Sequence, residues 1–182
     1  MKYLSLLLIL LASCSQSKSV PSYDAYLRDG SVIFLRGGLL VKPIFHHTDS
    51  TLTHAAIILY HGRDPWVYEA TLPYVRRMPL IDYTRHLEEM SHEHFQQKRK
   101  MSWFILQPTS YNKNQLAAMK VYAESQLGRP YMLRGWWKGH EVRGIFCSQY
   151  VGDIIEKSGR IESAHFHESP GSLYAKLRPF YH

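Results

Sequence analysis

Acidic residues are too few in this sequence to balance the basic ones. There are 15 Asp and Glu residues against 22 Lys and Arg residues, which gives a formal net charge of +7. Such a surface favours anionic partners, for example phospholipid headgroups, envelope polymers or acidic peptides. Nucleic acid is the competing anion, but the basic residues are scattered and form no nucleic-acid-binding motif, so no nucleic acid is predicted.

Long apolar runs are also lacking after the N-terminus, which excludes a later membrane span of about 20 residues. The apolar run from Leu4 to Leu11 follows Lys2 and precedes the small residues Ala12 and Ser13. This order is typical of a secretory signal peptide, which we predict over residues 1–13. The hydrophobic content of 45% and the charged content of 20% are typical of a globular domain and argue against disorder.

The residues that end the signal peptide resemble the lipobox of bacterial lipoproteins, in the string Leu11-Ala12-Ser13-Cys14. In that family the cysteine carries lipid and becomes the first mature residue. We therefore predict lipid attachment at Cys14, an anchor and Ser-rich tether over 14–22, and one domain over 23–182. The alternative is an ordinary signal peptide followed by an incidental cysteine. Lipidation predicts a protein of the bacterial cell envelope, on the periplasmic side of the outer membrane in a Gram-negative cell.

Cysteine is scarce, because only Cys14 and Cys147 occur in the chain. With Cys14 lipidated, Cys147 has no partner within the chain. A lone thiol in an exported protein risks oxidation, so its presence needs a reason. Burial as a small hydrophobic residue, pairing with another chain, and reactivity are the three alternatives.

The order of predicted elements indicates an α+β fold, because strands come first and the cysteine-bearing helix comes late. The predicted strands are Gly30–Gly38, Thr53–Tyr60, Trp66–Ala70 and Met101–Leu106. The predicted helices are 80–97, 113–127 and 147–158, and in the second of them Leu116, Met119, Ala123 and Leu127 share one face.

Cys147 begins an amphipathic helix. The positions with i, i+3, i+4, i+7, i+8 spacing are Cys147, Tyr150, Val151, Ile154 and Ile155, which predicts that they share the inward face. At the first turn, the helix dipole and free N–H groups stabilise a thiolate and can later hold an oxyanion. A buried cysteine that only packs is the alternative.

His54 differs from the other ten histidines because it opens the most apolar strand. A two-residue turn at His61-Gly62 would pair Tyr60 with Arg63 and place Glu69 directly opposite His54. A carboxylate there would fix the imidazole tautomer and leave the other nitrogen for a thiol. A core histidine beside a surface Glu69 is the alternative reading.

The remaining histidines lie in polar surroundings, and we predict that most are on the surface. Only His92-x-His94 has a spacing that metal sites use, and no cysteine or second carboxylate–histidine pair stands near it at ligand spacing. No metal and no other cofactor are therefore predicted.

Three segments resemble the YiiX-like cysteine hydrolases, which are circularly permuted relatives of the NlpC-type papain-fold enzymes. They are Thr53-His54-Ala55-Ala56-Ile57-Ile58, Val67-Tyr68-Glu69-Ala70 and Phe146-Cys147-Ser148-Gln149-Tyr150-Val151. In the permuted group histidine and glutamate precede the cysteine, as they do here. The resemblance covers roughly Gly30 to Gly159 and implies a small antiparallel sheet or barrel packed against the cysteine helix.

The resemblance also implies a Cys147-His54-Glu69 triad that cleaves amide bonds, such as those of cell-wall peptides, through an acyl-enzyme. Gly128-Arg129-Pro130-Tyr131 resembles the family's Gly-x-Pro-Tyr segment, so Tyr131 is either an oxyanion donor or a core residue. Ser31 and Phe146 stand where relatives often have Asp. These departures weaken any transfer of substrate from those relatives.

Two other functions remain open. A lipid-directed acyltransferase or acyl hydrolase is one, because the anchor holds the domain near headgroups. Trp136-Trp137 with Lys138 either seats at such an interface or caps the core. A non-catalytic lipoprotein that binds a peptide or lipid in the same cleft is the other. The sequence does not indicate an oligomeric state.

Overall fold

Five antiparallel strands form one sheet in the order β4-β3-β2-β1-β5. We describe residues 27–37, 50–96, 101–132 and 143–182 of a computed structural model. The strands are β1 (Val32–Gly37), β2 (Leu52–His61), β3 (Asp64–Ala70), β4 (Val75–Pro79) and β5 (Met101–Leu106).

Within the described residues, four helices pack on the two faces of this sheet. They are α1 (Leu80–Gln96), α2 (Lys113–Ser125), α3 (Cys147–Glu156) and α4 (Pro170–Leu177), and a short 3-10 helix spans His165–His167. Helix α1 covers one face through Leu80, Tyr83 and Leu87, while the other three helices contribute to the core on the opposite face. The predicted α+β class is confirmed.

Strand β2 is buried on both faces because it lies in the middle of the sheet, between β1 and β3. Its alternate residues belong to different cores: Ala55 and Ile57 pack with α3, whereas Ala56 and Ile58 pack with α1. This explains why β2 is a nearly continuous apolar run and not an alternating one.

The predicted strands and helices are all present within a few residues of their expected ends. Strand β4 and helix α4 were not predicted. On α2, Met119 and Ala123 are buried as expected, but Leu127 lies beyond the helix end and is 36% exposed. The predicted helix end at Leu127 is therefore two residues too late, because the helix ends at Ser125 and the chain turns at Gly128.

The hairpin between β2 and β3 has a register that differs by two residues from the predicted one. His61 pairs with Asp64, so the turn residues are Gly62 and Arg63, not His61 and Gly62. Gly62 has a φ of 65°. Glycine with positive φ is what a type II′ turn requires at its first central position, and this places the turn one residue later.

Several predictions lie outside the described residues, namely the signal peptide, lipid attachment at Cys14, the tether and Trp136-Trp137. Within the described ranges, none of the helices combines the length and apolar character that crossing a membrane needs.

Candidate active site

Cys147 is the first residue of α3 and is 4% exposed. The four other residues of the predicted inward face, Tyr150, Val151, Ile154 and Ile155, are fully buried. Phe146 precedes the helix in an extended conformation, and within the described chain no side chain caps this terminus. The first N–H groups of α3 therefore remain available to a negatively charged group.

The thiol of Cys147 interacts directly with the imidazole of His54. Burial alone raises the pKa of Cys147, but His54 and the N–H groups of Ala55 and Ser148 lower it overall. Burial alone lowers the pKa of His54, but Cys147 and then Glu69 outweigh it and raise that pKa to about 10. The two residues therefore favour a thiolate–imidazolium pair.

Glu69 binds the other side of the His54 ring. The distance between His54 Nε2 and Glu69 Oε2 is 2.9 Å, and their side chains are 17% and 4% exposed. Because Nε2 donates to Glu69, Nδ1 is the ring nitrogen left for Cys147. This is the arrangement of thiol, imidazole and carboxylate that nucleophilic catalysis uses.

The sheet brings these groups together where β2 and β3 separate. The pairing of the two strands ends at Ile57 and Tyr68, although β2 continues back to Leu52 and β3 on to Ala70. Ala55 is paired with Phe34 of β1 but lies in the part of β2 that is not paired with β3, and its N–H donates to the Cys147 sulfur. The nucleophile thus occupies a place that a paired neighbouring strand would otherwise fill.

Two residues that sequence reasoning missed hold Glu69 in place. Arg76 on β4 pairs with Glu69 across the strands, and its Nε and Nη2 atoms both lie 2.7 Å from Oε1. Tyr83 on α1, which is 2% exposed, hydrogen-bonds the same carboxylate. Burial alone raises the pKa of Glu69, but His54 and Arg76 lower it overall, which favours the carboxylate.

A weak signal for Arg76 exists in the sequence, since a basic residue follows Glu69 after the short Leu72-Pro73 turn segment. Strand β4 has only five residues, VRRMP, and two adjacent arginines hide its alternation. Tyr83 carries no local signal, because nothing in its neighbourhood distinguishes it from the 12 other tyrosines.

Tyr131 lies beside the cysteine segment. It forms a bridge with Ile145, two residues before Cys147, and its N–H donates to the Pro73 carbonyl at 3.0 Å. Burial and then the nearby Cys147 raise the pKa of Tyr131, so its hydroxyl keeps its proton. The ring also packs against the core, so both predicted roles are compatible with its position.

A second cluster of polar side chains lies between α3 and the 3-10 helix, and it includes no member of the triad. Asp153, Glu156 and His165 place one potential metal-ligand atom each within 4.8 Å of one another. Asp153 Oδ1 already accepts from Ser163 at 2.7 Å and lies 2.9 Å from His165 Nδ1. Sequence reasoning placed His165 simply on the surface; it is exposed, but it pairs with a buried carboxylate.

Comparison with known proteins gives information on the fold. No protein-family model and no curated protein matches the chain. Among solved structures, the chain is similar to "metalloprotein yiiX from Escherichia coli O157:H7, DUF1105", with 19% sequence identity and a TM-score of 0.55. The match covers 84% of this chain and 81% of that one. The protein therefore has a yiiX-like α+β fold.

Proposed function

We propose that the protein is a cysteine hydrolase that cleaves amide bonds in peptides of the cell envelope, with Cys147 as nucleophile. The observation that carries the proposal is a buried series of three interacting groups. The Cys147 thiol interacts with the His54 imidazole, and His54 Nε2 lies 2.9 Å from Glu69 Oε2. Packing alone does not account for it, because burying an imidazole and a carboxylate costs free energy that a core residue avoids.

The proposed reaction begins with the Cys147 thiolate attacking the carbonyl carbon, whose electron pair moves onto oxygen. N–H groups at the start of α3 and the Tyr131 hydroxyl stabilise that oxyanion. When the intermediate collapses, the leaving amine takes a proton from His54, and a thioester on Cys147 remains. His54 then deprotonates a water molecule, which attacks the thioester and releases the acid and the thiolate.

The sequence near Cys14 supports the location in this proposal. A lipid there would tether the domain within reach of envelope polymers, and the net charge of +7 favours anionic ones. Glu69 orients His54, and no cofactor takes part in the proposed steps.

The test of this function is incubation of the protein with a cell-envelope extract, analysed by mass spectrometry. Cys147→Ala is the matched control, because it removes one sulfur at the start of α3. With the unsubstituted protein, we expect pairs of product fragments whose summed mass equals that of an envelope peptide plus one water. We expect no such products with Cys147→Ala. Identical spectra for the two proteins would contradict the proposal.

Lipid-directed acyl transfer or hydrolysis is a second candidate. The segment between β3 and β4 exposes Leu72 by 74% and Tyr74 by 49%, and Tyr131 binds the residue between them. Exposed apolar side chains on a segment that is hydrogen-bonded to Tyr131 favour contact with an acyl chain. Phospholipid vesicles in place of the extract distinguish the candidates, since only this one predicts release or transfer of a fatty acyl group.

The similar yiiX structure is that of a metalloprotein. Among the described residues, Asp153, Glu156 and His165 are the group whose potential ligand atoms lie close enough together to hold a metal ion. Both oxygens of Asp153 accept hydrogen bonds, from Ser163 and Tyr122. Glu156 Oε1 accepts from the Ser163 N–H at 3.0 Å. This donor set fits a metal poorly, because hydrogen bonds from Ser163 and Tyr122 already engage both carboxylates. No step of the proposed reaction passes through it.

A further inference from the structure

The carboxylate of Glu69 is held from three different elements of the fold. His54 on β2 donates to Oε2 over 2.9 Å, and Arg76 on β4 donates twice to Oε1 over 2.7 Å. Tyr83 on α1 supplies a fourth hydrogen bond from the face covered by that helix. Glu69 itself is only 3% exposed, so these side chains take the place of water around it.

A buried carboxylate beside an imidazolium has an alternative state. It can take the proton and leave two neutral groups, which burial favours because neither form then carries a desolvated charge. His54 would then carry no charge to stabilise the Cys147 thiolate, and the thiolate would take up a second proton from solvent. The ion pair at the nucleophile therefore depends on whatever keeps Glu69 ionised.

Arg76 is suited to that task, because a guanidinium keeps its charge across the whole pH range in which proteins are folded. Both of its donors converge on one oxygen, which leaves Oε2 for His54. Tyr83 adds a donor without a charge. Burial and then Glu69 raise the pKa of Tyr83 well above its ordinary value, so its hydroxyl remains protonated.

We propose that Arg76 and Tyr83 are positioning residues that keep Glu69 ionised and directed at His54, and so hold Cys147 as a thiolate. The inference rests on the proposed function, because it concerns the same triad. It adds two residues that bind the carboxylate of Glu69, and Tyr83 is also near enough to Cys147 for the two to interact electrostatically.

Arg77 provides a matched control on the same strand. Its side chain is 38% exposed, against 36% for Arg76, and it also forms an ion pair with a carboxylate, that of Glu124. Because successive residues of a strand point to opposite faces, Arg77 lies away from Glu69. Loss of Arg77 removes a charge and an ion pair from β4 without touching the triad.

The experiment is the pH dependence of Cys147 alkylation by iodoacetamide, measured on the full chain in detergent. Peptide mapping by mass spectrometry separates Cys147 from Cys14. The variants are Arg76→Gln, Arg76→Lys, Tyr83→Phe and Arg77→Gln, and the ultraviolet absorbance of the thiolate is the second measurement. Arg76→Lys and Tyr83→Phe keep the test informative if Arg76→Gln does not fold, because each retains most of the packing.

We expect Arg76→Gln to raise the apparent pKa of Cys147 by about one unit, as loss of a close opposite charge does. Arg76→Lys should recover most of that shift, Tyr83→Phe should cause a smaller rise, and Arg77→Gln should cause none. A low pKa in the unsubstituted protein that Arg76→Gln and Tyr83→Phe leave unchanged would overturn this inference alone. Equal rises in Arg76→Gln and Arg77→Gln would also overturn it, since they indicate a general effect of β4. An ordinary thiol in the unsubstituted protein would instead overturn the proposed function.

Discussion

His54 and Glu69 are joined by a hydrogen bond of 2.9 Å although they do not face each other across the strands. The register that pairs Ile57 with Tyr68 brings Glu69 level with Ala56, two residues from His54. Diagonal neighbours on one face remain within reach of long side chains. The separation of β2 from β3 at this point leaves room for the diagonal contact and for Cys147.

Glu69→Gln should lower both reactivity and stability. The amide keeps the size of the side chain but loses the charge that stabilises the His54 imidazolium, so the apparent pKa of Cys147 should rise. It also leaves Arg76 and Tyr83 without their charged acceptor, which should cost about 1–3 kcal/mol of unfolding free energy. Urea unfolding and the alkylation profile measure the two effects. Unchanged alkylation with reduced stability would assign Glu69 a structural role only.

The stability contributed by Glu69 should disappear in acid. Its pKa is lower in the folded protein than its ordinary value, so the contribution is present above the unfolded pKa of about 4.3 and is lost as the pH falls through the folded value. Thermal unfolding of the unsubstituted protein and Glu69→Gln between pH 7 and 3 checks this. The difference in unfolding temperature between the two proteins should be constant near pH 7 and should shrink towards pH 3. A gap that widens in acid would reverse the sign and contradict the account.

Tyr131→Phe separates the two roles of this residue. The substitution keeps the ring that packs against the core and removes the hydroxyl. If the hydroxyl binds the oxyanion, acylation of Cys147 by p-nitrophenyl acetate should slow by about 100-fold. Iodoacetamide alkylation should not change, because it forms no oxyanion. Equal acylation rates would leave Tyr131 as a core residue.

Cys14→Ser should release the protein from the membrane fraction of the bacterial cell. The thiol at this position is the predicted attachment point for lipid, whereas serine cannot form the thioether. Fractionation and incorporation of labelled palmitate measure the change, and Cys147→Ser is the control that should remain in the membrane fraction. Membrane retention of Cys14→Ser without label would show that another feature anchors the chain.

The parts of the site that depend on local periodicity were predictable. The spacing of apolar residues in α3 placed Cys147 at the start of a buried helix face. The prediction that His54 and Glu69 lie on the same face of the hairpin was also correct, although the predicted turn was wrong. A register error of two residues preserves the side-chain face, whereas an error of one would have reversed it.

The parts that depend on tertiary packing were not predictable. Tyr83 reaches Glu69 only because α1 packs under the sheet, and no pattern in a polar helix marks that tyrosine. Arg76 lies on a five-residue edge strand with little alternation of polar and apolar residues.

Helix α4, in contrast, could have been predicted from the sequence, since Ser169 and Ser172 form a capping box around Pro170.

The most direct test of the triad is the alkylation rate of Cys147 from pH 5 to 10 in the unsubstituted protein and in His54→Ala. A free cysteine with a pKa of about 8.5 is about 1% thiolate at pH 6.5. We predict a rate at that pH close to the plateau in the unsubstituted protein and an ordinary thiol profile in His54→Ala. His86→Ala, which changes an exposed histidine on α1, should match the unsubstituted protein. An ordinary profile before any substitution, or a low pKa that survives in His54→Ala, would contradict the assignment of Cys147 and His54 as nucleophile and base.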